Sequence, residues 1–356
     1  MENNRIDYID IAKGVGMLAI IWGHIMLFGW SYKLVYSFHI PLFFCLSGMC
    51  FNQKKYDSVW QLIKRRVQTL LIPYVIFSLV TWLIYVVGVL AFHNDTMQNC
   101  WYYLLQTVFA QGSGGYLEHN VALWFVTCLF VVDVLYYFIS KLPDWANILV
   151  CLLCAAGGIL MSSHYYNITT LPWSVDSALS AIPFFAFGNL MVKKLSHEKI
   201  VQSVDNHLLI YVVVTVLLTV FLVINVQNNG YISMGHNCLG DRTWLFYLNA
   251  FIGTVSTILF SLILSSLLSK GILKRTITYI RWLGNNSFYA MASHLPLKAA
   301  LLTIPARMLH TNTGSGLCSN IWISLVAFIA TLLVTSIVIQ LINKGKELFA
   351  KRKQYK

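Results

Sequence analysis

Apolar residues run through this chain in long unbroken blocks, without the two-residue alternation of a half-buried strand. Ten blocks stand out, covering roughly 9–30, 35–52, 70–91, 121–140, 146–163, 176–192, 208–225, 245–268, 286–304 and 320–343. A helix rises about 1.5 Å per residue and the hydrocarbon core of a bilayer is about 30 Å thick, so blocks of this length predict membrane-crossing helices. The expected fold is therefore all-α: a polytopic integral membrane protein with about ten transmembrane helices. The fifth, sixth and ninth blocks are short or interrupted by polar residues, which leaves the count open by one or two. The longest polar stretches are 93–120 and 226–243. The first carries an apolar run from Trp101 to Phe109 that reads as an interfacial or re-entrant helix. The second, rich in Asn and Gly, reads as a loop. With no internal repeat and no low-complexity linker, the chain is one membrane domain, 1–343, followed by a basic tail, 344–356.

Composition agrees: 58% of the residues are hydrophobic and 11% charged, which excludes a soluble domain. The placement of Lys and Arg adds an orientation. Lys54, Lys55, Lys64, Arg65 and Arg66 fall in one connection, Lys193, Lys194 and Lys199 in a second, and Lys270, Lys274, Arg275 and Arg281 in a third. Lys344, Lys346, Lys351, Arg352, Lys353 and Lys356 lie in the tail, whereas the alternate connections hold only Lys33, Arg242 and Arg307. Basic residues remain on the cytoplasmic side, so both termini are expected there. The net charge of +12 then reflects topology and does not call for a nucleic-acid partner, although the basic loops also suit anionic lipid headgroups. Asp7, Asp10 and Lys13 flank the first block and no small-residue cleavage site follows it, so it is expected to stay as a helix.

The eight cysteines say little. Cys151 and Cys154 form a CxxC inside an apolar helix, where small packing residues are expected. Cys100, Cys238 and Cys318 fall in outer segments, where one pair is a candidate disulfide.

Candidate chemistry begins with His24. A titratable side chain deep in an apolar block is expensive in hydrocarbon and marks a functional site. His39 opens the second block, and a turn centred near Ser31 would place the two imidazoles at about the same depth. Asp10 lies fourteen residues before His24, about 21 Å away along a helix, which puts His24 in the outer half. Asp176 opens the sixth block at the outer face, and His294 lies nearer the middle of the ninth. The inner end instead gathers cations: Arg5, Lys13, Lys64, Arg65, Arg66 and Arg281. An imidazole layer above an anion-binding layer fits an anionic reagent entering from the cytoplasm and reacting with a neutral group nearer the outside. A proton path and a metal site are the other readings of paired histidines. No HExxH-type spacing supports a metal, and none is expected. Asp133, inside the fourth block, requires a partner that the sequence does not name. Gly14 and Gly16 read as close helix contacts.

The opening Arg5, Asp7, Asp10, Lys13-Gly14 and His24 resembles the start of the membrane acyltransferase 3 family, the O-acyltransferases that include fucose 4-O-acetylase-like proteins. The first helix of that family carries a basic residue, ten intervening positions and a histidine; Lys13 and His24 match that spacing, with Lys where many members have Arg. Phe38-His39-Ile40-Pro41 through Ser47-Gly48 is similar to the second-helix signature. Lys64-Arg65-Arg66 followed by Pro73-Tyr74 is similar to the basic stretch before the third helix, except that Thr69 stands where many members have a second basic residue. Leu123-Trp124-Phe125 and Ser287 to His294 are weaker matches.

The resemblance implies an acyl-CoA donor, usually acetyl-CoA, used from the cytoplasm. The acceptor would be a hydroxyl of a cell-surface or lipid-linked carbohydrate, and the location a bacterial plasma (inner) membrane, crossed many times. It implies His24 as general base or acyl carrier, with Lys13, Asp10 and His39 beside it in the catalytic set. Arg65, Arg66, Lys64 and Arg5 would hold the CoA phosphates, and His294, Asp176 and Trp124 the acceptor. The alternative reading is a transporter or flippase for a sugar or anionic substrate, against which the missing repeat counts.

Overall fold

The computed structural model describes residues 6–25, 29–92, 95–112, 117–162, 171–303 and 321–354. All ten apolar blocks are helical over most of their described residues. The first four elements are α1 (Asp7–Ile25), α2 (Gly29–Cys50), α3 (Val59–Arg66) and α4 (Ile72–Phe92), the last two joined by a π-helical turn, Val67–Leu71. They are followed by α5 (Met97–Phe109), α6 (Trp124–Ile139), α7 (Asp144–Leu160), α8 (Val175–Lys194), α9 (His197–Asn206) and α10 (Leu208–Asn225). A two-stranded hairpin, β1 (Ile232–Ser233) and β2 (Cys238–Leu239), interrupts the helices. The chain ends with α11 (Thr243–Ser269), α12 (Lys274–Asn285), α13 (Ser287–Lys298) with its own π turn Ala299–Thr303, and α14 (Ile321–Gln354).

Eight of the described helices are long and apolar enough to cross a bilayer, so the protein is an all-α polytopic membrane protein. The two blocks below that length are α7, with 17 residues, and α13, which carries Pro296 and Lys298. The apolar run around Trp101 is α5, packed against α4 through Trp82 Nε1, which donates to the Cys100 carbonyl at 2.7 Å. The last helix continues through the basic tail to Gln354.

Helices α1, α2, α8 and α11 form the centre. Their contact faces use small residues because apolar surface alone does not drive helices together in lipid. A Cβ on Gly14 would lie 2.0 Å from the Ile280 carbonyl oxygen, and one on Gly284 would lie 1.7 Å from that of Asp10. Thus α1 and α12 touch backbone to backbone, the role the sequence assigns to Gly14. Gly48 and Gly188 join α2 to α8 in the same way. Replacing Gly284 by Ala is expected to lower the thermal midpoint in detergent by several degrees, since overpacking typically costs about 1–3 kcal/mol; an unchanged midpoint would contradict the close contact. Around this centre α4 and α10 expose Leu83, Val87, Leu209 and Leu217 on faces suited to lipid.

The basic connections meet on one face. Arg281 Nη1 donates to both carboxylate oxygens of Asp7 at 2.9 Å, and Tyr8 Oη lies 2.6 Å from His197 Nδ1. These contacts tie the start of α1 to the segments carrying Lys193, Lys199 and Lys274. Asn343 Nδ2, near the end of α14, donates to Asn286 Oδ1 there as well. The hairpin lies at the opposite end, where Lys33 Nζ donates to the Gln227 carbonyl.

Two expectations need correction. Ser31 is not at the turn between the first two helices but inside α2. The faces of Gly16 toward Leu42 and Phe43, and of Gly23 toward Val35 and Tyr36, set the register of the pair. His39 therefore comes level with about Ile20, roughly 6 Å further from the hairpin end than His24. Cys100 and Cys238 are free thiols and do not pair with each other; Cys318 lies outside the described residues. Cys151 and Cys154 are also unbridged and pack within α7, as expected.

Candidate active site

A cavity of about 360 Å³ follows α1 from Lys13 to His24. His24 lies eleven positions after Lys13, so the cavity spans about 16 Å of helix. Its middle is apolar, lined by Met17, Ile40, Phe43, Leu129 and Met291. His24 and His39 line its upper part with Trp124, and the hairpin residues Tyr231, Ser233 and His236 line its end. The hairpin is thus more than the loop its sequence suggests. Asn229 Nδ2 donates to the Leu239 carbonyl, Asn237 Nδ2 to that of Gly158, and Ser177 Oγ to that of Met234. The first bond braces the hairpin itself, and the other two tie it to α7 and α8.

The imidazoles form one cluster despite their difference in depth. The His24 and His294 ring centroids are 5.1 Å apart. Tyr36 joins the other two: its hydroxyl lies 3.3 Å from His24 Nδ1 and its ring centroid 4.9 Å from that of His39. Local helix chemistry fixes two of the three rings. His39 Nδ1 is 2.7 Å from the Val35 carbonyl, and His294 Nδ1 is 2.8 Å from that of Met291. A carbonyl only accepts, so each Nδ1 carries a proton and each neutral ring keeps its lone pair on Nε2. His24 makes no such bond; its own carbonyl receives Lys298 Nζ at 2.5 Å, so the lysine caps the end of α1. Among the described residues no three His, Cys, Asp or Glu side chains gather as a metal site.

At the other end Lys13 Nζ lies 3.7 Å from Asp10 Oδ1, an i,i+3 pair on one helix face, and Lys13 reaches the cavity. Asp10 is buried behind it. Lys64 and Arg65 are on α3, and both are exposed. Arg66 instead makes an internal ion pair. Its Nη2 donates to Asp133 Oδ1 at 2.9 Å, and its Nε lies 2.9 Å from Oδ2. Asp133 thereby finds the partner it needs, and the guanidinium fork that the sequence assigns to a phosphate is turned inward. Arg5 lies outside the described residues. Lys346, read from sequence as part of the tail, sits over the Tyr289 ring at 4.0 Å, next to Ser287 and Phe288 at the cavity's lower mouth.

The proposed acceptor residues separate. Trp124 lines the cavity, its ring covered closely by Gly112 and Gly235. His294 is fully buried against His24. Asp176 is buried at the start of α8 and does not line the cavity.

Residues 6–340 match the family model described as an acyltransferase domain, nearly the whole chain. The chain belongs to the acyltransferase 3 family. Neither a curated protein nor a solved structure matches it. As an acyltransferase 3 protein, it sets the Lys13 and His24 of its first-helix motif at the two ends of one cavity.

Sequence reasoning missed Tyr36, Lys298 and His119. Lys298 carried a signal, a charge inside an apolar block. Tyr36 carried none, since tyrosine near a helix end reads as an interfacial belt residue. His119 is buried beside the cavity-lining Val121, and both its ring nitrogens lack hydrogen-bond partners among the described residues. Burial pushes its pKa down to about 4. The unfolded imidazole binds a proton near pH 6.5, so stability is expected to fall progressively as pH drops from about 6.5 to about 4, where His119 must be protonated in the unfolded chain before the folded one. Thermal unfolding across that window should show a shallower acid limb in His119→Gln.

Proposed function

We propose that this acyltransferase moves an acetyl group from acetyl-CoA, held at the basic face, to a hydroxyl of a cell-surface or lipid-linked carbohydrate arriving from the opposite face. The observation that carries the reading is the single cavity with Lys13 at one end and His24 at the other. By the positive-inside rule the basic face is cytoplasmic, where acyl-CoA is available. The location proposed is the plasma membrane of a bacterium.

Lys13, Arg65, Lys64 and Lys346 supply the positive field for the CoA phosphates. The apolar middle takes the acyl-bearing arm of the donor and brings the thioester toward the imidazoles. His24 Nε2 removes the proton from the acceptor hydroxyl as its oxygen attacks the thioester carbon. The tetrahedral intermediate collapses with cleavage of the carbon–sulfur bond, and the imidazolium returns the proton to the departing thiolate. Products are the acetate ester and CoA, with no net proton. For Nε2 to act as base, Nδ1 must carry the other proton, and Tyr36 Oη is placed to accept it. Tyr36→Phe keeps the ring and is expected to lower kcat about five- to tenfold, the worth of one neutral hydrogen bond, with KM for acetyl-CoA unchanged.

The donor half of the proposal is tested by acetyl-CoA binding to purified protein, followed by thermal shift. Lys13→Ala together with Arg65→Glu should weaken affinity at least tenfold. Unchanged affinity would mean that these cations serve only topology.

A further inference from the structure

A second cavity, of about 280 Å³, opens on the basic face where α9, α11 and α12 meet the start of α1. It shares no lining residue with the cavity that holds Lys13 and His24. Asp7, which lines it, precedes Lys13 by six positions, so the two stand about 120° apart around α1. Lys274, Thr278 and Arg281 reach this cleft at helical spacing along α12, and Asp205 reaches it one turn after Val201 on α9. Its charges balance but do not all pair. Arg281 holds Asp7 through two bonds of 2.9 Å. Asp205 Oδ1 accepts from the hydroxyl of Ser266 at 2.5 Å and has no cation beside it, and Lys274 makes no hydrogen bond or ion pair among the described residues. One carboxylate and one ammonium are therefore left without counter-ions in one cleft, which Ser265 and Thr278 supply with hydroxyls.

The cleft also borders lipid. Ile272 and Leu273, 48% and 63% exposed, stand in the turn from α11 to α12, between Lys270 and Lys274. Leu209, 75% exposed, begins the lipid-facing run of α10 four positions after Asp205. Exposed apolar residues flanked by lysines at a membrane surface insert among acyl chains, while the charges stay in the headgroup layer. We propose that the cleft binds the headgroup of a phosphatidylethanolamine from the cytoplasmic leaflet, its phosphate on Lys274, Ser265 and Thr278 and its primary ammonium on Asp205. This site is independent of the acyl donor and acceptor. Charge complementarity selects the headgroup. The ammonium donates charge-assisted hydrogen bonds to Asp205, and the phosphate accepts them from Lys274. An anionic headgroup satisfies Lys274 but brings a like charge to Asp205. A choline headgroup has both charges, yet its quaternary nitrogen has no proton to donate, and among the described residues no aromatic ring lines the cleft to hold it. The bound lipid joins three helices and stabilises the folded protein by its occupancy.

The test uses the purified full-length protein in detergent with one dioleoyl lipid added at a time: phosphatidylethanolamine, phosphatidylcholine or phosphatidylglycerol. Native mass spectrometry follows retained lipid, and thermal unfolding follows stability. Phosphatidylethanolamine should be retained about tenfold over either of the others and should raise the thermal midpoint most. Lys274→Ala and Asp205→Asn should each cut its retention about tenfold, and Lys274→Arg should keep it. Without lipid both weakened variants should unfold with the wild type, because Lys274 has no bond to lose and an amide oxygen still accepts from Ser266. Glycerophosphoethanolamine, the same headgroup without acyl chains, should displace the lipid only at about a hundredfold higher concentration. Equal potency would assign the cleft to a soluble zwitterion. Preferential retention of phosphatidylglycerol would make it a plain anion site, and displacement by acetyl-CoA would make it part of the donor site. Unchanged retention in both weakened variants would place the lipid elsewhere. Each of these results overturns the proposal.

Discussion

His24→Ala should retain the wild-type fold and acetyl-CoA affinity and lose at least a hundredfold in transfer and in thioester hydrolysis, as expected for removal of a general base. The substitution should be tolerated structurally because the contact that His24 makes through its backbone, the carbonyl receiving Lys298 Nζ, survives it. The side chain's own contacts are with Tyr36 and His294, a hydroxyl and a ring edge, neither of which is left as an unpaired charge. His39 and His294 keep protonated Nδ1 atoms bonded to their own helices and do not replace it. Size-exclusion elution and acetyl-CoA thermal shift check the fold; release of free CoA thiol checks the chemistry. Wild-type rates in a well-folded variant would remove His24 from the mechanism.

The second large effect is on stability. Arg66→Ala should destabilise the protein by about 3–5 kcal/mol, because it leaves Asp133, 1% exposed, as a buried carboxylate without its cation. Removing both charges with Arg66→Met and Asp133→Leu should recover most of the loss, since a well-packed apolar pair often replaces a buried ion pair at little cost. Thermal unfolding of the two proteins in the same detergent separates the effects. If the single variant unfolds with the wild type, the ion pair is not made. If it loses donor affinity at unchanged stability, Arg66 contacts CoA after all, as its position in the basic stretch implies.

The fold was legible where hydrocarbon imposes strong rules. Each long apolar block is helical over most of its described residues, and the basic connections gather on one face; both were legible because apolar length and charge are read directly along the chain. Gly14 was legible as a close contact for the same reason. The register of α1 and α2 was not: α2 already begins at Gly29, and nothing in Gly29-Trp30-Ser31 separates a turn from a first helical turn. The partner of Asp133 was not legible either, since Arg66 stands 67 positions away and reads equally as a phosphate ligand. Of the candidate site residues named from sequence, His24, His39, Lys13 and Trp124 are brought by the structure to one cavity. Tyr36 and the hairpin were missed because their role comes from tertiary packing alone. Asp176 was over-read: a carboxylate at a helix start has a structural place there whatever the cavity does.

The decisive measurement is the sidedness of donor use. The protein is reconstituted in sealed liposomes, its orientation is fixed by protease access to the basic tail, and membrane-impermeant acetyl-CoA is supplied to one face at a time while CoA thiol release is followed. Release is expected only when acetyl-CoA is on the face that carries the tail, Lys13 and Arg65, and it is expected to vanish in His24→Ala. Release from the hairpin face, or no cleavage from either face, would contradict a cavity that carries an acyl donor from the cations to the imidazoles.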